Sequence, residues 1–187
     1  IIALFGTTQI AANAVANSLD SMGCIAGQAM NLAMITVIGQ CMGAGDKEQA
    51  IYYTKKLWKI TYLITITVNS LILISLPWLL KLYSLSAESY RYAYILVMIH
   101  DGMAMLLWPT AFTMPNALRA SGDVKFCMVV SVFSMFMFRI LFSVFFAIGF
   151  GWGAIGVWIA MVLDWIFRAG VFTWRFLQGK WLEFKVI

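Results

Sequence analysis

One nearly uncharged stretch constrains this chain more than any other feature. From residue 7 to residue 43 the sequence carries a single charged side chain, Asp20. As an α-helix this stretch would be about 55 Å long, whereas the hydrocarbon core of a bilayer is roughly 30 Å thick. Because backbone groups in lipid must satisfy their own hydrogen bonds, we predict a membrane helix that tilts, bends or projects from the membrane.

The whole composition agrees with a lipid environment. Hydrophobic residues make up 63% of the 187 positions and charged residues 11%, where soluble domains have about 25% charged residues. This excludes an ordinary soluble domain, and at about 20 residues per span the chain holds five or six spans. It begins at Ile1, inside an apolar run without a charged leader, so we expect more protein upstream rather than a signal peptide.

Short charged and glycine-containing clusters divide the chain into helices. We therefore predict an all-α integral membrane protein, a polytopic bundle of five full transmembrane helices plus the end of a sixth at residues 1–6. Pro109 and Pro115 predict kinks in the third helix. The predicted helices cover residues 7–43, 51–82, 88–120, 124–150 and 153–178.

Lysine and arginine concentrate at alternate ends of these helices, which predicts orientation. We expect a multi-pass protein of the cell membrane with a cytoplasmic C-terminus. The same placement indicates that the net charge of +5 reflects the topology of a membrane protein and not binding to nucleic acid. The residues assigned to the cytoplasmic side are Lys47, Lys55, Lys56, Lys59, Arg119, Lys125, Arg175, Lys180 and Lys185.

A stripe of polar side chains runs along the first helix. Its members recur every three or four residues, so they share one helical face. In a membrane such a face meets either a water-filled cavity or a polar partner helix. A substrate or ion pathway and a structural interface are both open. The stripe consists of Gln9, Asn13, Asn17, Asp20, Cys24, Gln28 and Asn31.

The third helix carries one carboxylate, Asp101, in a face of aromatic and methionine side chains. An organic cation would gain charge pairing and cation–π contact there, and methionine adapts to varied shapes. His100 is adjacent in sequence but about 100° away around the helix. Both residues are candidates for transport, and the alternative is internal pairing. The face comprises Tyr90, Tyr94, Met98, Asp101, Met105, Trp108 and Phe112.

Three further charges lie inside the last two helices. Counted from the hairpin near Gly151, Arg139 and Asp164 lie at equal depth, and Arg168 follows Asp164 by four residues. We expect a structural cluster of ion pairs, with gating as the alternative.

Several small-residue patterns have a packing interpretation. The glycine-rich run at residues 151–156 matches a dinucleotide-binding pattern, but it lies between two membrane helices and not after a strand. Glycines four residues apart, Gly23 with Gly27 and Gly39 with Gly43, predict close helix contacts. Neither metal-ligand spacing nor a catalytic or nucleotide-hydrolysis motif is recognisable, so we expect no enzyme, no metal site and no cofactor beyond a coupling ion.

The sequences at residues 9–16, 37–46 and 116–123 together resemble the second half of the multidrug and toxic compound extrusion (MATE) family. The resemblance continues through residues 151–158 and around Asp164, and it covers nearly the whole chain. It implies twelve helices in two lobes, of which residues 1–187 would be the C-terminal one. In one branch of the family the acid of helix ten falls at Trp108 here, so its ion site cannot be carried over.

This resemblance implies a secondary antiporter that exports small organic cations in exchange for H⁺ or Na⁺. The partners would be the bilayer and an N-terminal lobe of the same polypeptide. Two alternatives are a lipid-linked oligosaccharide flippase of the same superfamily and a structural membrane subunit that transports nothing. The candidate transport residues are Asp101, His100, Asn13, Asn17, Asp20, Gln28, Asn31, Tyr94, Met105 and Trp108, and the structural ion-pair residues are Arg139, Asp164 and Arg168.

Overall fold

Five consecutive helices are each long and apolar enough to cross a membrane, which confirms the predicted fold class. The computed structural model describes residues 1–184, so Lys185, counted above among the cytoplasmic charges, lies outside it. The helices are α1 (Gly6–Gly43), α2 (Lys47–Leu82), α3 (Ala87–Ala120), α4 (Val124–Gly149) and α5 (Gly153–Leu177).

The turn between α1 and α2 is built from glycine and aspartate. Gly45 adopts a φ of +75°, which ends α1, and the Asp46 carboxylate accepts the Gln49 N–H at 2.9 Å. This cap starts α2 at Lys47, four residues before the predicted residue 51.

The first residues form a short turn before α1. Residues Ile2–Phe5 are one 3₁₀ turn, and Gly6 follows with a φ of +83°. A 3₁₀ turn followed by a glycine with positive φ is a common helix ending, so this segment is compatible with the predicted helix end at residues 1–6.

Wide π-helical turns interrupt α3 and α4. They lie at Pro109–Thr113 in α3 and at Met135–Leu141 and Phe145–Gly149 in α4. Proline has no N–H to donate, so the kink predicted at Pro109 appears as the first of these turns. The Tyr62 hydroxyl on α2 donates to the Leu106 carbonyl at 2.8 Å, so this backbone acceptor next to the Pro109 turn has a hydrogen-bond partner.

Small residues let the helices approach closely. A Cβ added at Gly27 would collide with the Trp108 ring, and one at Gly23 would lie 2.5 Å from the Asn69 amide oxygen. Open space surrounds the other glycine pair, Gly39 and Gly43, so the packing prediction holds for the first pair alone. As a result, α1 packs closely against both α2 and α3.

Candidate functional site

The most unusual site in the bundle is a group of three ionisable side chains between α1 and α3. His100 Nδ1 lies 2.7 Å from Asp20 Oδ1 and 3.9 Å from Asp101 Oδ1. His100 and Asp101 are 1% and 0% exposed, while the Asp20 side chain is 19% exposed. We call Asp20, His100 and Asp101 the acid–histidine cluster.

His100 and Asp101 contribute to the same buried interior although they lie on different sides of α3. Neighbouring positions on a helix do point about 100° apart. Both side chains are nevertheless buried, because α1 and α5 both pack against α3 and leave a shared interior on its inner side. Asp20, from the polar stripe, reaches the same interior from α1.

Aromatic side chains of α5 enclose the cluster. The His100 ring centroid lies 4.7 Å from that of Trp158 and 4.3 Å from that of Trp165. On α1, the Cys24 thiol donates to Asp20 Oδ1 at 3.6 Å. These apolar walls limit water access, so charge–charge interactions within the cluster are stronger than in water.

Asp101 lacks the hydrogen bonds that a buried carboxylate normally receives. Both of its oxygens are buried without a hydrogen-bond partner, and so are both ring nitrogens of His100, although Nδ1 lies 2.7 Å from Asp20 Oδ1. Burying a carboxylate without donors is costly, and binding a proton or another cation removes that cost. The three ligand atoms, one from each residue, lie within 4.8 Å of one another, so they could surround a single cation.

The remaining stripe residues split into two groups. Towards its N-terminal end, α1 is held to α5: the Ala154 N–H donates to Gln9 Oε1 at 2.7 Å, and Trp158 Nε1 donates to Asn13 Oδ1 at 2.9 Å. Further along, Asn17 and Gln28 are exposed and Asn31 is half-buried. The stripe is therefore partly a helix interface and partly exposed.

The candidate substrate face of α3 is not one continuous surface. Tyr94 is 37% exposed, whereas Trp108 is 6% exposed and lies against Gly27. Met105 is half-buried, and its sulfur accepts the Ser70 hydroxyl at 3.4 Å. Because Asp101 itself is fully buried, a solute reaches it only if the helices separate or if it enters past Asp20.

The expected ion-pair cluster of the last two helices forms without Arg139. Arg168 Nε lies 3.0 Å from Asp164 Oδ1, as the spacing predicts. The α4 residue that bonds Asp164 is Ser134, and Arg139 is exposed elsewhere. The prediction of equal depth assumes a uniform helical rise, but the two π-helical turns of α4 change the rise per residue and the direction in which side chains point between the hairpin and Ser134.

Sequence reasoning did not assign Trp158 and Trp165 to the site. They are seven residues apart on α5, two helical turns, and so share a face. Asp164, at 0% exposure, lies next to Trp165 and marks the buried side of that helix. This spacing was the available signal, although it could not show which side chain the rings contact.

Taken together, five membrane-length helices around buried ionisable side chains define a polytopic helical membrane protein with an intramembrane charged site. The MatE family model matches residues 1–145, and the chain belongs to this family. It is 24% identical over 187 residues to a protein described as "Probable multidrug resistance protein NorM" from Thermotoga maritima.

That match covers all of this chain but 40% of the relative, so the chain spans less than half of the relative's length. No solved structure gives a significant match.

Proposed function

We propose that this chain is the C-terminal lobe of a secondary antiporter that exports small organic cations in exchange for inward H⁺ or Na⁺. Membership of the MatE family and the printed name of the Thermotoga relative support this function. The single structural observation that carries it is Asp101, a fully buried carboxylate with neither oxygen hydrogen-bonded.

A shared negative site is the simplest basis for coupling. A proton or sodium ion at the acid–histidine cluster compensates the unpaired charge of Asp101, and a substrate cation would compensate it equally. The two therefore compete, and entry of the ion on one side of the membrane releases the substrate on the other. Asp20 is the member at the surface of the bundle, so it would receive either cation first.

Substrate contacts would come from the side chains near the cluster that are not fully packed. Tyr94 is 37% exposed and Met105 is half-buried, and Trp108 becomes available when α1 separates from α3. An aromatic and thioether surface binds flat organic cations of varied shape.

Ethidium efflux from cells that express the full-length gene tests this proposal. Wild type is compared with Asp101→Asn under an imposed proton gradient and, separately, a sodium gradient. Glu88→Gln is the matched control, because it neutralises an exposed acid in the first turn of the same helix. We expect Asp101→Asn to lose gradient-driven export at unchanged membrane abundance, and Glu88→Gln to retain it.

Other results would redirect the interpretation. Equal export by wild type and Asp101→Asn would leave the antiporter standing but remove the cluster from its coupling. If wild type exports none of a panel of cationic dyes, the proposal fails and the flippase alternative becomes the leading one. The gradient that drives export identifies the coupling ion.

A further inference from the structure

Arg139 is a charged side chain in the middle of a membrane helix. It lies ten residues before Gly149, the last residue of the 26-residue helix α4, and so is at least two turns from either end. The hydrocarbon core is about 30 Å thick, so this position of a spanning helix lies within it. The residue is exposed in the structure. Charged groups at this depth normally pair with a partner or line a polar cavity.

Within residues 1–184 Arg139 has no ion-pair partner. The four ion pairs of this part of the chain involve other residues, and the nearby acid of α5, Asp164, is bound by Arg168 and Ser134. Apart from the backbone bonds of the helix, Arg139 takes part in hydrogen bonding through its carbonyl, which accepts the Ser143 hydroxyl at 2.5 Å.

Arg139 lines an open depression of about 480 Å³ that is bordered by residues 1–3, α1, α4 and α5. Asn17 and Ser143 add polar groups to its wall, and Val157 and Met161 add apolar ones. Lipid chains would not solvate the arginine of such a surface, and bulk water would not suit its apolar side chains. The depression fits a protein surface with apolar residues and one anionic group.

We propose that this depression seats a further transmembrane helix of the full-length protein, and that the helix carries an aspartate or glutamate that pairs with Arg139. Inside a bilayer only a helix or a closed barrel can present side chains at this depth. The charge of the partner follows from the charge of Arg139. Polypeptide for such a helix is consistent with the Thermotoga relative, of whose length this chain spans 40%.

The test uses the full-length protein with Arg139→Gln, Arg139→Lys and, as a matched control, Arg91→Gln. Arg91 is also an exposed arginine, but it lies near the start of α3, close to the membrane surface. Membrane abundance and thermal stability in detergent are measured for each variant. We expect Arg139→Gln to lower the midpoint temperature of thermal unfolding by several degrees. Arg139→Lys should recover most of that loss, and Arg91→Gln should leave the midpoint unchanged.

A second experiment identifies the acidic residue that pairs with Arg139. Each aspartate and glutamate of the full-length protein that is predicted to lie within a membrane helix is changed to asparagine or glutamine, with and without Arg139→Gln. For the true partner the two changes together should cost no more than either alone, since both remove the same pair. Cysteines at the two positions should then form a crosslink.

Three results would overturn the proposal. In the first, Arg139→Gln is as stable and abundant as wild type. In the second, every acid that couples to Arg139 lies within residues 1–184. In the third, the variant is stable and loses export of a carboxylate-bearing dye alone, with its methyl ester exported normally, which would place the anion on the substrate.

Discussion

The ion pair between Asp164 and Arg168 offers a quantitative test of the packing between the last two helices. Asp164 is 0% exposed and Arg168 12% exposed, so both charges are largely removed from water. Arg168 also donates to Ser134 Oγ at 2.8 Å and to the Ser131 carbonyl at 3.2 Å. It therefore links α5 to α4 while it neutralises Asp164.

Replacing Arg168 with methionine preserves much of the apolar stem but leaves Asp164 as an uncompensated buried charge. Breaking one side of a buried pair costs about 3–5 kcal/mol. We expect a loss of about 3 kcal/mol in the free energy of unfolding, because the serine bond to Asp164 remains. Adding Asp164→Asn removes the charge, and the double variant should recover to within about 1 kcal/mol of wild type.

The measurement is denaturant-induced unfolding of the full-length protein in detergent, followed by tryptophan fluorescence. Arg91→Met is the matched control, since an exposed arginine should change stability by no more than about 0.5 kcal/mol. A double variant as unstable as Arg168→Met alone would refute the reasoning, because the cost would then come from lost packing and not from an unpaired charge.

Two further predictions concern packing and orientation. Gly27→Leu should destabilise the protein by about 1–3 kcal/mol, because its side chain would collide with Trp108. Gly39→Leu, in open space on the same helix, should cost nothing measurable, and equal losses would contradict this packing. After replacement of the native cysteines, a membrane-impermeant maleimide should label Ser84→Cys in intact cells but Ala44→Cys only in permeabilised ones. The reverse pattern would invert the predicted orientation.

The sequence was sufficient for the helices because their ends are chemically marked. Glycine and aspartate close α1 and α3, and the predicted bounds of those helices agree with the structure to within a residue. The predicted start of α2 is less accurate, because Lys55, Lys56 and Lys59 indicate a membrane entry later than the observed start at Lys47. Lysines near a membrane end can belong to the helix, since their long stems let the charge reach water.

The side-chain partners were harder to predict, for a physical reason. Periodicity assigns a residue to a helix face, but it assumes a uniform turn. In α4 the π-helical turns at Met135–Leu141 and Phe145–Gly149 break that assumption, so Ser134 and not Arg139 reaches Asp164. The contact of His100 with Asp20 joins residues 80 positions apart on different helices, and no local pattern specifies such a pairing.

Two aspartates of equal burial differ in how the bundle compensates their charge. Asp164 and Asp101 are both 0% exposed. One oxygen of Asp164 is bound by Arg168 and Ser134, which compensates its charge, although its other oxygen has no hydrogen-bond partner. Asp101 has no donor on either oxygen, and His100 approaches it no closer than 3.9 Å.

Folding alone gives no reason to place an uncompensated carboxylate inside a membrane bundle, because a neutral residue of the same size would avoid the cost of burying the charge. A transport site does give a reason, since an ion binds and leaves readily only where the fold has not already satisfied the charge. The absence of a hydrogen bond on either oxygen, and not burial, is therefore what makes Asp101 the candidate for ion coupling, whereas Asp164 is paired with Arg168.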